Sequence, residues 1–372
     1  MGSPGINIAA LSVAIRILAV LLCGGCDTQL RPTTERDTRD AVGDQGVELE
    51  TFDKDQADTV TPTDTSDLLF AADSTETSDV PLATDLSDGE VPNTCPVAVG
   101  GLRNLSEAVD VDTPPTHLDM EFGRVELLGA RSYDEDGDSI AEQKWTVTQH
   151  PGRVPPSVEQ VSARGPSEIG IYMLGSYELE LTVVDEHGLS SCNTAGVTVT
   201  STATAGLVVE LTWETPGDPD ETDDDGADVD LHLLRPGGMI WNLQGARDDC
   251  FFYDRSPDWG VLGVATDNPK YHVDDFDGAG PEVITIEQPA LTTGEEGYLI
   301  GVNFRVNNHF ALVFPSVRVY SNGEAIGIVG EKGGIALQRG EVWIAGELFW
   351  TENGPLFVTS DVPQITDGFP VP

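Results

Sequence analysis

The stretch Tyr177-Glu178-Leu179-Glu180-Leu181-Thr182-Val183 alternates apolar and polar residues without a break. Side chains on an extended strand point to opposite faces in turn, so this pattern describes a strand with one face in a core and the other in water. Val125-Glu126-Leu127, Lys144-Trp145-Thr146-Val147 and Val197-Thr198-Val199 repeat the pattern in shorter form. Asp136-Gly137 and Asp185-Glu186-His187-Gly188 supply turn residues between them. A second series runs through Leu207 to Trp213, Asp228-Val229-Asp230-Leu231-His232-Leu233-Leu234, Val283 to Ile286, Tyr298 to Phe304, Val317 to Tyr320 and Val342 to Trp350. No segment of convincing length carries the apolar period of an amphipathic helix. The expected fold class is all-β, with two consecutive β-sandwich domains over 94–203 and 204–352 and a C-terminal tail over 353–372. Several short strands, a central Trp and a Tyr entering a late strand make the first sandwich Ig-like.

The segment before these domains is of another kind. Runs such as Thr59-Val60-Thr61-Pro62-Thr63-Asp64 and Asp73-Ser74-Thr75-Glu76-Thr77-Ser78-Asp79 have no periodic apolar residues. Low hydrophobicity with charge of one sign cannot offset the entropy of ordering, so 26–93 is expected to be a disordered acidic linker. A flexible chain of that length spans about 45 Å root-mean-square. It serves as a stalk or, on the alternative reading, as a tail that binds a basic partner. The whole chain holds 64 Asp plus Glu against 19 Lys plus Arg, a formal net charge of −45. A polyanion is bound by neutralising its phosphates with Lys and Arg, so nucleic acid is excluded as a partner. Anionic lipid surfaces are excluded by the same sign.

Residues Ile6 to Leu22 are apolar except for Asn7, Ser12 and Arg16, and Cys23-Gly24-Gly25-Cys26-Asp27 follows. A positive charge, a short apolar run and small residues make a secretory signal, expected over 1–25, and Arg16 splits the run too early for a spanning helix. The Leu-x-x-Gly-Cys ending resembles the bacterial lipobox. That resemblance implies cleavage after Gly25, lipid on Cys26, and a place in the bacterial cell envelope, anchored to the outer membrane or cell surface. Cys23 stands where Leu or Ala is usual, and no cluster of positive charge precedes Arg16. Export into an oxidising compartment permits disulfides. Cys95, Cys192 and Cys250 then remain, and three cannot all pair internally. Cys95 and Cys192 bracket the first domain and are the expected bridge; Cys250 is left as a buried apolar residue, a free thiol or a partner in an intermolecular bridge.

From Val125 through Asp138 to Lys144-Trp145, and again from Gly175 to Gly188, the first domain resembles the PKD (polycystic-kidney-disease) family. The family's tryptophan falls on Trp145, its late-strand tyrosine on Tyr177, and its closing hairpin on Asp185 and Gly188. The resemblance implies an extracellular spacer or interaction module without catalysis. Asp134, Asp136 and Asp138 alternate as calcium ligands do in an EF-hand, but Ser139 and Trp145 stand where that loop requires Gly and Glu. They are read instead as a turn whose Asp side chains cap backbone N–H groups.

The second domain carries Leu211-Thr212-Trp213, Asp228-Val229-Asp230-Leu231-His232, Asp258-Trp259-Gly260, Asp274-Asp275-Phe276-Asp277-Gly278 and Val317-Arg318-Val319-Tyr320. Here it resembles an uncharacterised bacterial family of secreted β-sandwich domains of the Asp-x-Asp-Leu-His type, which implies a fold and a surface location only. On the strand at 228–234, Asp228, Asp230 and His232 share one face. Carboxylates two apart lie about 7 Å from each other. Should the turn holding Asp274, Asp275, Asp277 and Glu282 fold over that face, six oxygen ligands converge, a donor set that suits Ca2+ rather than zinc. The other reading leaves these acids solvated as turn caps. His232 is expected to be a hydrogen-bonded structural group.

Trp241, Phe251, Phe252, Tyr253 and Trp259 form an aromatic cluster. Of these, Trp241, Tyr253 and Trp259 are candidate contacts for a glycan or surface protein, with core packing as the competing use. No Gly-x-Ser-x-Gly elbow, Walker loop or His-Glu-x-x-His is present, and abundant acids give no specific glycosidase pair. The expectation is no enzyme: a non-catalytic envelope lipoprotein acting as a binding or adhesion module. A passive spacer is the alternative, ahead of a hydrolase accessory domain or cryptic enzyme.

Overall fold

The computed structural model describes residues 92–106, 113–162, 165–223, 225–276, 278–306 and 308–370. The expected signal peptide, Cys26, the acidic linker up to residue 91, and Asp277 lie outside the described residues. Among the described residues there is no α-helix, only strands, turns and a short 3-10 segment at Glu331–Gly333.

Eight strands make the first sandwich: β1 (Gly101–Asn104), β2 (His117–Met120), β3 (Gly123–Leu128), β4 (Ile140–Gln149), β5 (Val158–Gln160), β6 (Ser167–Ile171), β7 (Gly175–Asp185) and β8 (Ala195–Ser201). One sheet runs β1-β3-β6-β5 and the other β2-β8-β7-β4, with only β2 and β8 parallel. Leu102, Val125, Leu127, Trp145, Ile169, Leu179, Leu181 and Val197 interdigitate between the sheets. The alternation of β7 does what its pattern demands, with Leu179, Leu181 and Val183 buried and Glu178 and Glu180 exposed. Tyr177 is buried among them, and its hydroxyl accepts from Met173 N at 3.0 Å and donates to Met173 O at 3.1 Å. A buried phenol needs such partners, and this pair anchors the bend that leads into β7.

Acids in this sandwich close turns. Asp185 accepts from His187 N at 2.9 Å and Leu189 N at 2.8 Å, Asp134 from Asp136 N at 3.0 Å, and Asp136 from Thr94 N at 2.6 Å. Cys95 and Cys192 are disulfide-bonded, with Cα atoms 5.4 Å apart.

The second sandwich holds β9 (Leu207–Glu214), β10 (Asp228–Leu234), β11 (Asp249–Cys250), β12 (Pro269–Val273), β13 (Glu282–Ile286), β14 (Tyr298–Val306), β15 (Phe314–Ser321), β16 (Glu324–Val329), β17 (Glu341–Thr351), β18 (Gly354–Val358) and β19 (Gln364–Asp367). One sheet runs β12-β13-β9-β15-β16; the other runs β11-β10-β14-β17-β18, with β19 also on β17. Trp213, Leu211, Val229, Leu231, Ile284, Ile300, Val302, Phe304 and Trp343 fill the space between them.

A tail beginning after residue 352 is therefore corrected, because 354–367 carry two further strands of this sandwich. The long strand β17 pairs with β14 along one edge, and an open second edge would present unpaired N–H and C=O groups. That edge is divided between two short strands, β18 along Glu347–Thr351 and β19 along Glu341–Ile344.

The two sandwiches meet along β9. Leu174 N donates to Glu210 Oε1 at 2.7 Å, Arg153 pairs with Glu221 at 2.7 Å, and the Phe122 and His272 rings meet edge-on at 5.1 Å. Buried Ala205, Val208 and Val283 pack with Phe122, Leu174 and Ala203 at this junction.

Candidate functional site

Strand β10 positions the site. Val229, Leu231 and Leu233 point into the sandwich core, so Asp228, Asp230 and His232 point to the outer face of the sheet. That face is covered as well: Asp228 is 2% exposed, Asp230 1% and His232 0%. The cover comes from the loops after β10 and β11 and from the chain end beyond β19. The His232 ring stacks on Phe251 at 5.3 Å and meets the edge of Phe369 at 4.7 Å. Trp241 stacks on Phe369 at 5.8 Å and lies over Gly301, which sits opposite His232 in β14; a Cβ there would meet the Trp241 ring at 3.0 Å.

Every buried polar group under such a cover needs a partner. His232 Nδ1 lies 2.7 Å from Asp249 Oδ2, which also accepts from Asn242 N at 2.8 Å. His232 thus ties the Trp241 loop to the sheet through Nδ1, while its Nε2 is buried without a hydrogen bond. Arg305 of β14 reaches both acids, with Nη2 2.5 Å from Asp228 Oδ2 and Nε 2.9 Å from Asp230 Oδ2. Its guanidinium lies 4.5 Å from the centroid of the Phe252 ring, which shields the pair.

The remaining acids arrive from the other sheet. β11 pairs only with Leu233 and Leu234, so the outward N–H of Leu231 has no strand beside it. Glu282, at the start of β13 and fully buried, accepts that N–H with Oε2. Tyr271 of β12 is buried beside Glu282, whose charge adds to burial in pushing the phenol well above its usual range. Asp274, just past β12, pairs with Arg255 at 2.9 Å. Carboxylate oxygens of Asp230, Asp274 and Glu282 lie within 4.8 Å of one another.

Asp228, Asp230, Asp274 and Glu282 share one feature. Each engages a partner through one oxygen, while its other oxygen (Oδ1 in the three Asp, Oε1 in Glu282) is buried and accepts no hydrogen bond. Burial, reinforced by the Asp230 charge and opposed by Arg305, raises Asp228 to about 7. Burial raises Asp230 to about 6, with His232 and Arg305 pulling it down. Glu282 is pushed well above its ordinary value by burial and then by Asp230.

Of the six expected ligands, the structure brings together Asp230, Asp274 and Glu282. Asp228 flanks them through Arg305. Asp275 turns back to accept from Gly278 N at 3.0 Å, and Asp277 is outside the described residues. Arg305, Arg255 and Tyr271 were not among the expected site residues. Arg305 was within reach of the strand pattern: it alternates with Asn303 on the polar side of β14, in a chain with few cations to spare.

Two of the three expected ligand-contact aromatics are corrected. Trp241 and Trp259 are interior, 7% and 5% exposed. The loops around β11 fold inward, and Trp259 joins the main core of the second sandwich. Trp259 packs against Tyr298 at 6.1 Å and donates its Nε1–H to Arg247 O at 2.6 Å, while Trp241 lies under Phe369. Tyr253 alone of the three faces solvent, at 65%. Met239 and Leu243 on the loop before β11 and Leu262 on the loop after it are also exposed, as is Phe276 beyond β12. Cys250 is fully buried, and burial pushes its thiol well up.

No family model matches the chain, and no curated protein matches it. Among solved structures, one similar chain is a nucleoside hydrolase-related hypothetical protein from Saccharophagus degradans associated with carbohydrate metabolism, at 22% identity and a TM-score of 0.22. The match covers 29% of this chain and 26% of that one, so this chain spans far less than the whole of that protein. The PKD domain from KIAA 1837 protein matches at 27% identity over 23% of this chain and 78% of its own, with a TM-score of 0.18. A carbohydrate-binding module of the β-sandwich superfamily matches at 14% identity over 63% of this chain and 99% of its own, with a TM-score of 0.22. The fold assignment rests on the strand topology above.

Proposed function

We propose that the chain is a non-catalytic binding module of the bacterial cell envelope, held to a membrane by lipid on Cys26 and extended from it by the acidic linker. The first sandwich is its spacer, and the second presents the binding face to a glycan or surface protein. One observation carries this reading: Met239, Leu243, Tyr253 and Leu262 are exposed on the loops flanking β11, which also hold buried Trp241 and Trp259. Apolar side chains held outward on an ordered surface mark interaction sites in soluble proteins. Asp134 and Asp185 of the first sandwich cap turns.

The mature protein, probed on glycan arrays and against envelope fractions, is expected to retain a ligand that the Tyr253→Ser, Leu262→Ser double variant loses. The melting temperature should be unchanged, because both residues are exposed. Equal retention by the variant, or no retention by either, would leave the passive spacer. Labelling with a radioactive fatty acid in the cell, lost in Cys26→Ser, tests the anchor separately.

A further inference from the structure

We infer that Asp230, Asp274 and Glu282 form a calcium site at the open edge of β10, where one ion joins the two sheets of the second sandwich. This inference stands apart from the binding reading, since it concerns buried oxygens and not the exposed loop face.

Three independent features converge on it. The first is distance. Oxygens bound to one calcium ion lie about 2.3–2.6 Å from it, so two of them are separated by no more than about 5 Å. The carboxylates of Asp230, Asp274 and Glu282 meet that limit, lying within 4.8 Å of one another.

The second is how the oxygens are used. Asp230 gives Oδ2 to Arg305, Asp274 gives Oδ2 to Arg255, and Glu282 gives Oε2 to Leu231 N. Each then keeps one buried oxygen without a hydrogen bond, as does Asp228 beside them. Asp185, which caps a turn, fills both oxygens, Oδ1 with His187 N and Leu189 N and Oδ2 with Asn93 Nδ2. Here the partners orient each carboxylate from outside, and the inner oxygens are left to something that accepts lone pairs. Water fills the remaining positions of a cation with six to eight ligands.

The third is charge. Asp228, Asp230, Asp274 and Glu282 face two guanidinium groups, those of Arg305 and Arg255. With Asp275 close enough to act on Asp228, the acids outnumber the guanidinium groups, and a divalent cation offsets that excess when they ionise. Oxygen-only donors favour a hard cation. The imidazole of His232 has its Nδ1 held by Asp249 and its ring enclosed by Phe251, Phe369 and Trp241.

The position gives the ion a mechanical role. Asp230 belongs to β10, Glu282 to β13 of the facing sheet, and Asp274 to the turn between β12 and β13. β11 covers only the far end of β10, so bound calcium closes the gap that no strand fills.

The test uses the full mature chain stripped of metal. Calcium at millimolar concentration is expected to raise the melting temperature of the second sandwich by several degrees, EDTA to reverse the rise, and magnesium to do less. Terbium, whose emission is sensitised by a nearby phenol, should luminesce through Tyr271 and be displaced by calcium. Asp274→Asn, at a half-buried position outside the core, should lose both responses and still fold; Asp230→Asn should lose them too. Tyr271→Phe should keep the thermal shift and lose most of the luminescence. A melting temperature indifferent to calcium overturns the inference. So does displaceable terbium emission that survives in Asp274→Asn, since it would come from acids elsewhere.

Discussion

Strands β7 and β10 carry the same binary pattern and end in opposite circumstances. In β7, Glu178 and Glu180 alternate with Leu179 and Leu181 and stand in water. In β10, Asp228, Asp230 and His232 alternate with Val229, Leu231 and Leu233, yet all seven residues are buried. The difference lies in what covers the outer face. Nothing lies over the glutamates of β7, whereas β10 is roofed by Phe251, Phe252, Trp241 and Phe369 and flanked by Arg305. Alternation assigns a side chain to a face; only a cover turns that face into a site. Once roofed, polar groups must be paired or neutralised, and a solvated strand surface becomes a network with specific partners.

Four variants sharpen or break this contrast. The largest effect belongs to the first sandwich, whose strands rely on an apolar core and a covalent tie. Removing the bridge with Cys95→Ala and Cys192→Ala opens a loop of 97 residues. It is expected to destabilise that sandwich by about 4–5 kcal/mol on the chain-entropy account. Differential scanning calorimetry should show its transition move down. A single unsplit transition moving as a whole would mean that the junction at β9 makes both sandwiches one cooperative unit.

Next comes the roof of β10. Asp249→Ala leaves the buried His232 ring and Asn242 N without their acceptor and is expected to cost about 3–5 kcal/mol in urea unfolding. A loss below 1 kcal/mol, about that of an ordinary hydrogen bond, would show that the covered face is not a closed network.

Glu210, at the junction, is a milder case of the same covering. Burial lifts it from 4.5 to about 7 against the pull of Leu174 N. The folded protein therefore holds that proton more tightly than the unfolded chain. The stabilisation is complete below pH 4.5 and is lost as pH rises through about 7. Glu210→Gln keeps an acceptor for Leu174 N and is expected to be more stable than wild type at pH 8 by about 3 kcal/mol or less, with little difference near pH 4. Parallel stability profiles for the two proteins would remove the linkage.

The smallest effect is the control on β7. Glu180→Gln, on the open face, should change stability by less than about 0.5 kcal/mol.

Much of this architecture was legible in the residues. Alternation located β7, β10, β14 and β17 because side-chain direction on a strand is a local property of the backbone. Turn acids such as Asp185 were legible for the same reason, since they cap N–H groups two to four residues away. The grouping of Asp230 with Asp274 and Glu282 was an open conditional in the sequence, dependent on how one turn folds. Surface and core uses of Trp241 and Trp259 both stayed open in the sequence, because nothing local says which way an irregular loop will pack.

The sequence by itself determined an all-β chain, the faces of its strands and the excess of acid on one of them. Tertiary structure alone decided which acids meet. Glu282 reaches Leu231 across 51 residues, Arg305 comes from a neighbouring strand, and the segment after residue 352 closes the edge of β17 and ends over His232. Periodicity reports a side chain's direction from its own backbone. Its neighbours are set by strand pairing and loop packing between distant segments, where the balance of burial and unpaired polar groups is settled.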